Sequence, residues 1–242
     1  MTTERHTIEV SGIAVEVVRK DIKNLHVGVY PPAGRVRVAA PLRFSDDAVR
    51  VAVSTRLAWI RRQQSEFEAQ ERQSQREMID GESHFFRGRR YRLRVIERDG
   101  PAEVRLANSS SLELRARTGT DRAGRDAILQ RWYRERLREQ IPALLDKWQP
   151  RVGAEVAEVR IKKMKTRWGS CSESARRLWL NLELAKKPVI CVEYILVHEM
   201  IHLLERHHND RFRELLDAAM PNWRTARDEL NRAPLAHEDW GY

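Results

Sequence analysis

Residues 194–203 read Tyr-Ile-Leu-Val-His-Glu-Met-Ile-His-Leu, and the five from His198 to His202 decide how the rest of the chain is read. Two histidines four residues apart on a helix are turned by about 40° and separated by roughly one turn, so both imidazoles reach one ion. Glu199 lies about 100° round from His198, off that pair but placed to hold a metal-bound water and take its proton. A nitrogen-rich donor set with a fourth position left for water suits zinc, which lowers the pKa of that water towards ~7. The expectation is one Zn2+ per chain, with Glu199 as general base. The competing reading is a cluster of charged histidines at a helix C-terminus, where the dipole favours them.

Four of the eight histidines, His198, His202, His207 and His208, fall within eleven residues. A third ligand therefore has three candidates. Glu205 stays on the ligand face if the helix runs on, whereas His208 turns back only if the helix ends first, and His207 is next to it. Asn209-Asp210 are stop-and-restart signals that favour an ending, and His208 stands ten residues after His198.

Outward from this string, a helix is expected to start after Pro188 and continue through ICVEYILVHEMIHLLE to Glu205. Helices FRELLDAAM and NWRTARDELN follow. Before it come strands at AEVRIKKMK (157–165) and RLWLNLELA (177–185), and a long amphipathic helix with Ile128, Trp132, Leu137, Ile141, Leu144 and Leu145 on its apolar positions. Further back, HFFRGRRYRLRVIE, AEVRLA and SLELRAR alternate as strands. At the start, HTIEV, IAVEVVRK, LHVGVY and RVRVAA read as two hairpins, the second turning at Pro31-Pro32-Ala33-Gly34. Between the strand regions one helix is expected near 45–76, capped by Ser45, with Val49, Val53, Leu57 and Ile60 on one face and a polar end. The pattern predicts an α+β chain: a β-rich N-terminal domain over 1–120 with that helix, then a catalytic domain over 121–242 with a small antiparallel sheet, a backing helix and the active-site helix.

Composition bounds the partners. No apolar run approaches a membrane span, and MTTERHTIEV has no apolar core of a secretory signal, so a cytoplasmic location is expected. Cys171 and Cys191 are too few for a disulfide scaffold or thiolate site. The net charge of +10 raises nucleic acid, nucleotides or acidic surfaces as partners, but 37 of the 45 basic residues are arginine, a bias that coding composition also produces.

The motifs KTRWGSC (165–171), LNLELAKKP (180–188), YILVHEMIHL (194–203) and HND-RF (208–212), in this order, resemble the YgjP-like metallopeptidases, a family related to the SprT-like and minimal zincin proteins. The PLRFS turn (41–45) and LAWI (57–60) extend the likeness over most of the chain. The resemblance implies a metal-dependent peptidase in which Glu199 is catalytic and His208 is the third ligand beside His198 and His202. It also implies an alternative, since a member has been described as a pyrophosphohydrolase acting on UTP. Members accompany type I restriction systems in some genomes, which adds a DNA-associated module with structural zinc as a third reading.

Substrate contacts are expected from Arg167, Trp168 and Ser170, if RWGSC forms an edge strand that an extended peptide joins by backbone pairing, and from Tyr194, one turn before His198. Arg167 and the lysines at 162, 163 and 165 would instead hold phosphates of a nucleoside triphosphate. Trp168 and Tyr194 also have ordinary packing roles, and Glu214 and Asp217 are candidates to accept the outer N–H of a ligand histidine.

Overall fold

Alternation of apolar and polar residues pairs the first strands as the sequence predicts. The computed structural model describes residues 5–30, 34–69, 76–164 and 167–232. Strands β1 (Arg5–Val10) and β2 (Ile13–Lys20) form one antiparallel hairpin, β3 (His26–Tyr30) and β4 (Arg35–Pro41) a second, and β2 joins β4 in parallel to give the order β1-β2-β4-β3. Of the expected turn at 31–34, the first three residues lie outside the described residues. Val15, Val17, Val36 and Val38 pack with Val49, Val53 and Ile60 as the core of this part.

The helix expected over 45–76 is two: α1 (Asp46–Ser54), capped by Ser45 accepting from the Ala48 N–H at 3.2 Å, and α2 (Leu57–Ala69). The ladder breaks at Thr55-Arg56, where the Arg56 N–H tightens to the Val53 carbonyl at 2.9 Å and the Thr55 hydroxyl bonds the Ala52 carbonyl. Residues 70–75 of the polar end lie outside the described residues.

A second sheet runs β5 (Ser83–Phe86), β6 (Arg89–Glu97), β8 (Ser111–Ala116), β7 (Glu103–Leu106) in that lateral order. Its inner residues Tyr91, Leu93, Leu112 and Leu114 join Trp132, Leu137 and Leu144 of α3 (Arg122–Val152) in one core. Asp121 caps α3 by accepting from Gly124, and Gly153 closes it at φ 73°.

The boundary expected at 120 falls between this sheet and α3, which share one core. Contacts divide the chain into one compact unit within residues 1–74 and another that includes residues 75–233. The second sheet belongs to the latter because it cannot bury its apolar face without α3, and because the β5–β6 turn is tied there too: the N–H groups of Arg87 and Gly88 donate to the carbonyls of Ala185 and Lys186 at 3.0 Å each.

The third sheet carries the site. Strands β10 (Gly169–Ser172), β11 (Arg177–Asn181) and β9 (Glu158–Lys162) lie in that order, β10 antiparallel and β9 parallel to β11. It is mixed rather than antiparallel, since the chain reverses between β9 and β10 and again before β11, which therefore lies beside β9 in the same direction. Nor does β11 continue to Ala185. At Asn181 the backbone enters a 3₁₀ turn, Leu182–Lys186, because the Asn181 side chain accepts the Glu183 N–H at 3.2 Å and caps the turn.

Helix α4 (Val189–Ile201) starts behind Pro188 and is buried on most of its circumference, packing on β10, β11, α3, α5 (Asp210–Ala219) and α6 (Trp223–Arg232). Among the described residues no helix is long and apolar enough to cross a membrane.

Candidate metal centre

Helix α4 ends at Ile201, four residues before the expected Glu205, and this early stop builds the site. The N–H groups of Leu204 and Glu205 both return to the Ile201 carbonyl, and the His202 ring Nδ1 lies 3.1 Å from the Glu205 carbonyl oxygen. That bond makes Nδ1 the N–H donor of His202 and leaves its Nε2 as a lone-pair donor for a cation. Asn209 then caps α5 by accepting the Phe212 N–H at 2.9 Å. Between these two ends the chain folds back and brings His208 to the helical pair.

Ligand-type atoms of His198, His202 and His208 all lie within 4.8 Å of one another. His208 Nε2 stands 2.9 Å from His198 Nε2. The ring of Phe212 sits 5.0, 4.8 and 4.7 Å from the three imidazoles in turn and sets the apolar floor of the cluster. Sequence reading passed over Phe212, although an apolar residue three places after an N-cap is placed to face the preceding element. His198 Nδ1 is buried without a hydrogen-bond partner among the described residues.

Burial favours the neutral form of the two helical histidines. Burial, reinforced by His202 and His208, pushes the His198 pKa down to about 3, and burial also lowers that of His202. Neutral imidazole is the form that ligates. Three imidazole nitrogens converging over an apolar floor are a donor set that fits zinc and would be poor for magnesium or calcium.

Glu205 and His207 stay outside the cluster. The Glu205 carboxylate accepts the His207 N–H at 3.0 Å, a bond that holds its pKa down, and His207 is exposed. Neither Glu214 nor Asp217 accepts from a ligand histidine; Asp217 instead binds the Trp223 indole N–H at 2.7 Å.

Glu199 is 7% exposed, and burial raises its carboxyl pKa to about 7, against the opposing charge of Arg167. It faces a cleft of about 770 Å³ bordered by Arg167, Trp168, Ser170 and Tyr194, the four residues singled out as substrate contacts, and by the three histidines. Tyr194 is fixed by its ring, stacked on Trp223 at 6.1 Å and edge-on to His198 at 5.9 Å. Burial raises the Cys171 thiol to about 11, which removes it as a thiolate nucleophile. Of the basic run, Lys162 stands 4.4 Å over the Trp179 ring, and Lys165 lies outside the described residues. Arg206, which sequence reading did not single out, borders the cleft instead.

Asn181 was also missed. It is 3% exposed, its Nδ2 donates to the carbonyls of Met164 and Arg167 at 2.8 Å each, and its N–H donates to the Trp168 carbonyl at 2.9 Å. One buried amide thus fixes the approach to β10.

Three imidazoles and a buried carboxyl thus border one cleft. The chain belongs to the YgjP-like family: the model of its metallopeptidase domain matches residues 24–233. Among solved structures, it is similar to the metallopeptidase zymogen abylysin of Pyrococcus abyssi, with 21% identity over 37% of this chain and 90% of that one, at a TM-score of 0.35. A likeness of that size says nothing about activity here. No curated protein matches the chain.

Proposed function

We propose that the protein is a zinc-dependent peptidase in which His198, His202 and His208 hold one ion and Glu199 is the general base. The convergence of the three imidazoles beside a carboxyl with a pKa of about 7 carries this reading. A zinc ion so held supplies Lewis acidity, acidifying a water and polarising a carbonyl. Glu199 is matched to proton transfer near neutral pH, taking the water's proton and passing it to the leaving amine. Strand β10 is an edge of its sheet, so an extended peptide joins it through backbone hydrogen bonds while Arg167, Trp168, Ser170 and Tyr194 contact its side chains. The two free thiols fit a reducing cytoplasm.

A structural zinc in a DNA-binding module is disfavoured, because such sites use four protein ligands and three are grouped here among the described residues. The test incubates zinc-loaded protein and a Glu199→Gln control with a peptide library and, separately, with nucleoside triphosphates. Peptide-bond cleavage by the wild type alone is expected. Release of pyrophosphate without peptide cleavage would transfer the site to nucleotide hydrolysis, with Arg167 and Arg206 on the phosphates.

A further inference from the structure

Residues 87–94 hold five arginines and no acidic residue. Strand alternation divides them. On β6, Tyr91 and Leu93 enter the core, whereas Arg90, Arg92 and Arg94 are exposed on the opposite face of the sheet. Alternate residues of a strand are spaced by about 6.6 Å, so the three guanidiniums form an evenly spaced row.

The row continues across the sheet. Arg94 stands opposite Glu113 of β8, which stands opposite Arg105 of β7. Glu113 is only 6% exposed although it lies on the outer face, because three guanidiniums close over it: Arg105 at 2.7 Å, Arg115 at 3.2 Å and Arg94 at 3.7 Å. One carboxylate therefore orients three cations and neutralises one. Arg90 and Arg92 form no ion pair among the described residues. Their cross-strand neighbours are small or aromatic: Phe85 opposite Arg90, and Ser83 and Ser111 opposite Arg92.

We propose that this face binds a single strand of nucleic acid, with Arg90, Arg92, Arg94 and Arg105 on successive phosphates and the half-buried Phe85 ring under a base. A guanidinium matches a phosphate with two parallel N–H bonds, and an aromatic ring on a sheet is a stacking platform for an unpaired base. The bases of a duplex are already stacked on one another, so a ring on the sheet face serves an unpaired strand whose bases are free to stack on it. An acidic protein would meet the same charges but has no use for the ring. The surface lies apart from the residues bordering the cleft, so it does not depend on the reaction assigned above.

The test is fluorescence anisotropy of the full chain with a labelled single-stranded oligonucleotide of about 20 residues, across salt from about 50 to 200 mM. Arg90→Glu with Arg92→Glu is compared with Arg131→Glu and Arg138→Glu, an equal charge change at exposed positions of α3. The β6 pair is expected to lose at least about tenfold in affinity and to lower the salt slope by about 1.4, two phosphate contacts' worth. The α3 pair should stay within about twofold, since its positions contact no phosphate. Phe85→Ala should weaken binding by about fivefold or more without changing the slope. Equal losses from the two arginine pairs would reduce the effect to net charge and overturn the proposal. So would tighter binding of duplex, or of polyglutamate, than of the single strand.

Discussion

Gly169 packs so closely on Glu199 that a Cβ at position 169 would lie 2.6 Å from the carboxylate Oε1. Any side chain there must push the carboxyl aside or lift β10 from α4. A displacement of about 1 Å at a reacting group costs on the order of 10²-fold. Gly169→Ala is therefore expected to lower kcat for a peptide substrate by about that factor while zinc content stays at wild type, because the three atoms nearest that Cβ all belong to Glu199. Full activity would show that Glu199 does not depend on this contact for its position.

The same burial makes Glu199 a liability for the fold. Its carboxyl is raised from 4.5 to about 7 by burial, so between these values the unfolded chain has released a proton that the native state keeps. Stability of the metal-free protein then falls as pH rises through this window and levels off above it, by at most about 3 kcal/mol. Glu199→Gln has no such proton. Thermal unfolding of chelator-treated samples should show the variant's advantage growing between about pH 5 and pH 8. A constant difference across that range would mean that the native carboxyl ionises normally.

Asn181 supports the other wall. Its amide saturates the carbonyls of Met164 and Arg167 from inside the protein, where lost partners cost about 1–3 kcal/mol. Asn181→Ala should destabilise by about that amount and raise KM for peptides more than it lowers kcat, since the Arg167–Ser170 approach loosens while the histidines stay in place. Hydrogen exchange should quicken over 167–172 and not along α4. Zinc loss in this variant would instead tie Asn181 to the metal residues.

What sequence could and could not reveal follows from the range of the forces involved. Strand β2 matches its expected span because alternation records which face is buried, and the Arg87-Gly88 hairpin is explicit in its flanking patterns. The histidine pair was legible because four residues of helix fix a geometry by themselves. Phe212 and Asn181 were not, since each acts through partners distant in sequence, and Arg206 borders a cleft that exists only once the chain has folded. The packing of the second sheet was hidden for a similar reason: its apolar face is evident in the sequence, but α3 as the surface that covers it is not. The helix end at Ile201 depends on the Glu205 carbonyl finding the His202 ring, a contact no periodicity encodes.

In the proposed site that end favours His208 as the third ligand. With the helix stopped, His208 faces His198 across 2.9 Å, while the Glu205 carboxylate is committed to the His207 N–H and only its carbonyl reaches the site, on the outer nitrogen of His202. Loss of an outer-shell partner typically weakens metal binding ~10–100-fold, and loss of a direct ligand costs at least as much. His208→Ala should therefore cripple zinc binding in a competitive titration. Glu205→Ala keeps the backbone carbonyl and should be mild, and His207→Ala milder still. Were Glu205→Ala the crippled variant, the helix would have to run on in the metal-bound protein, and the site would become one of two histidines and a carboxylate.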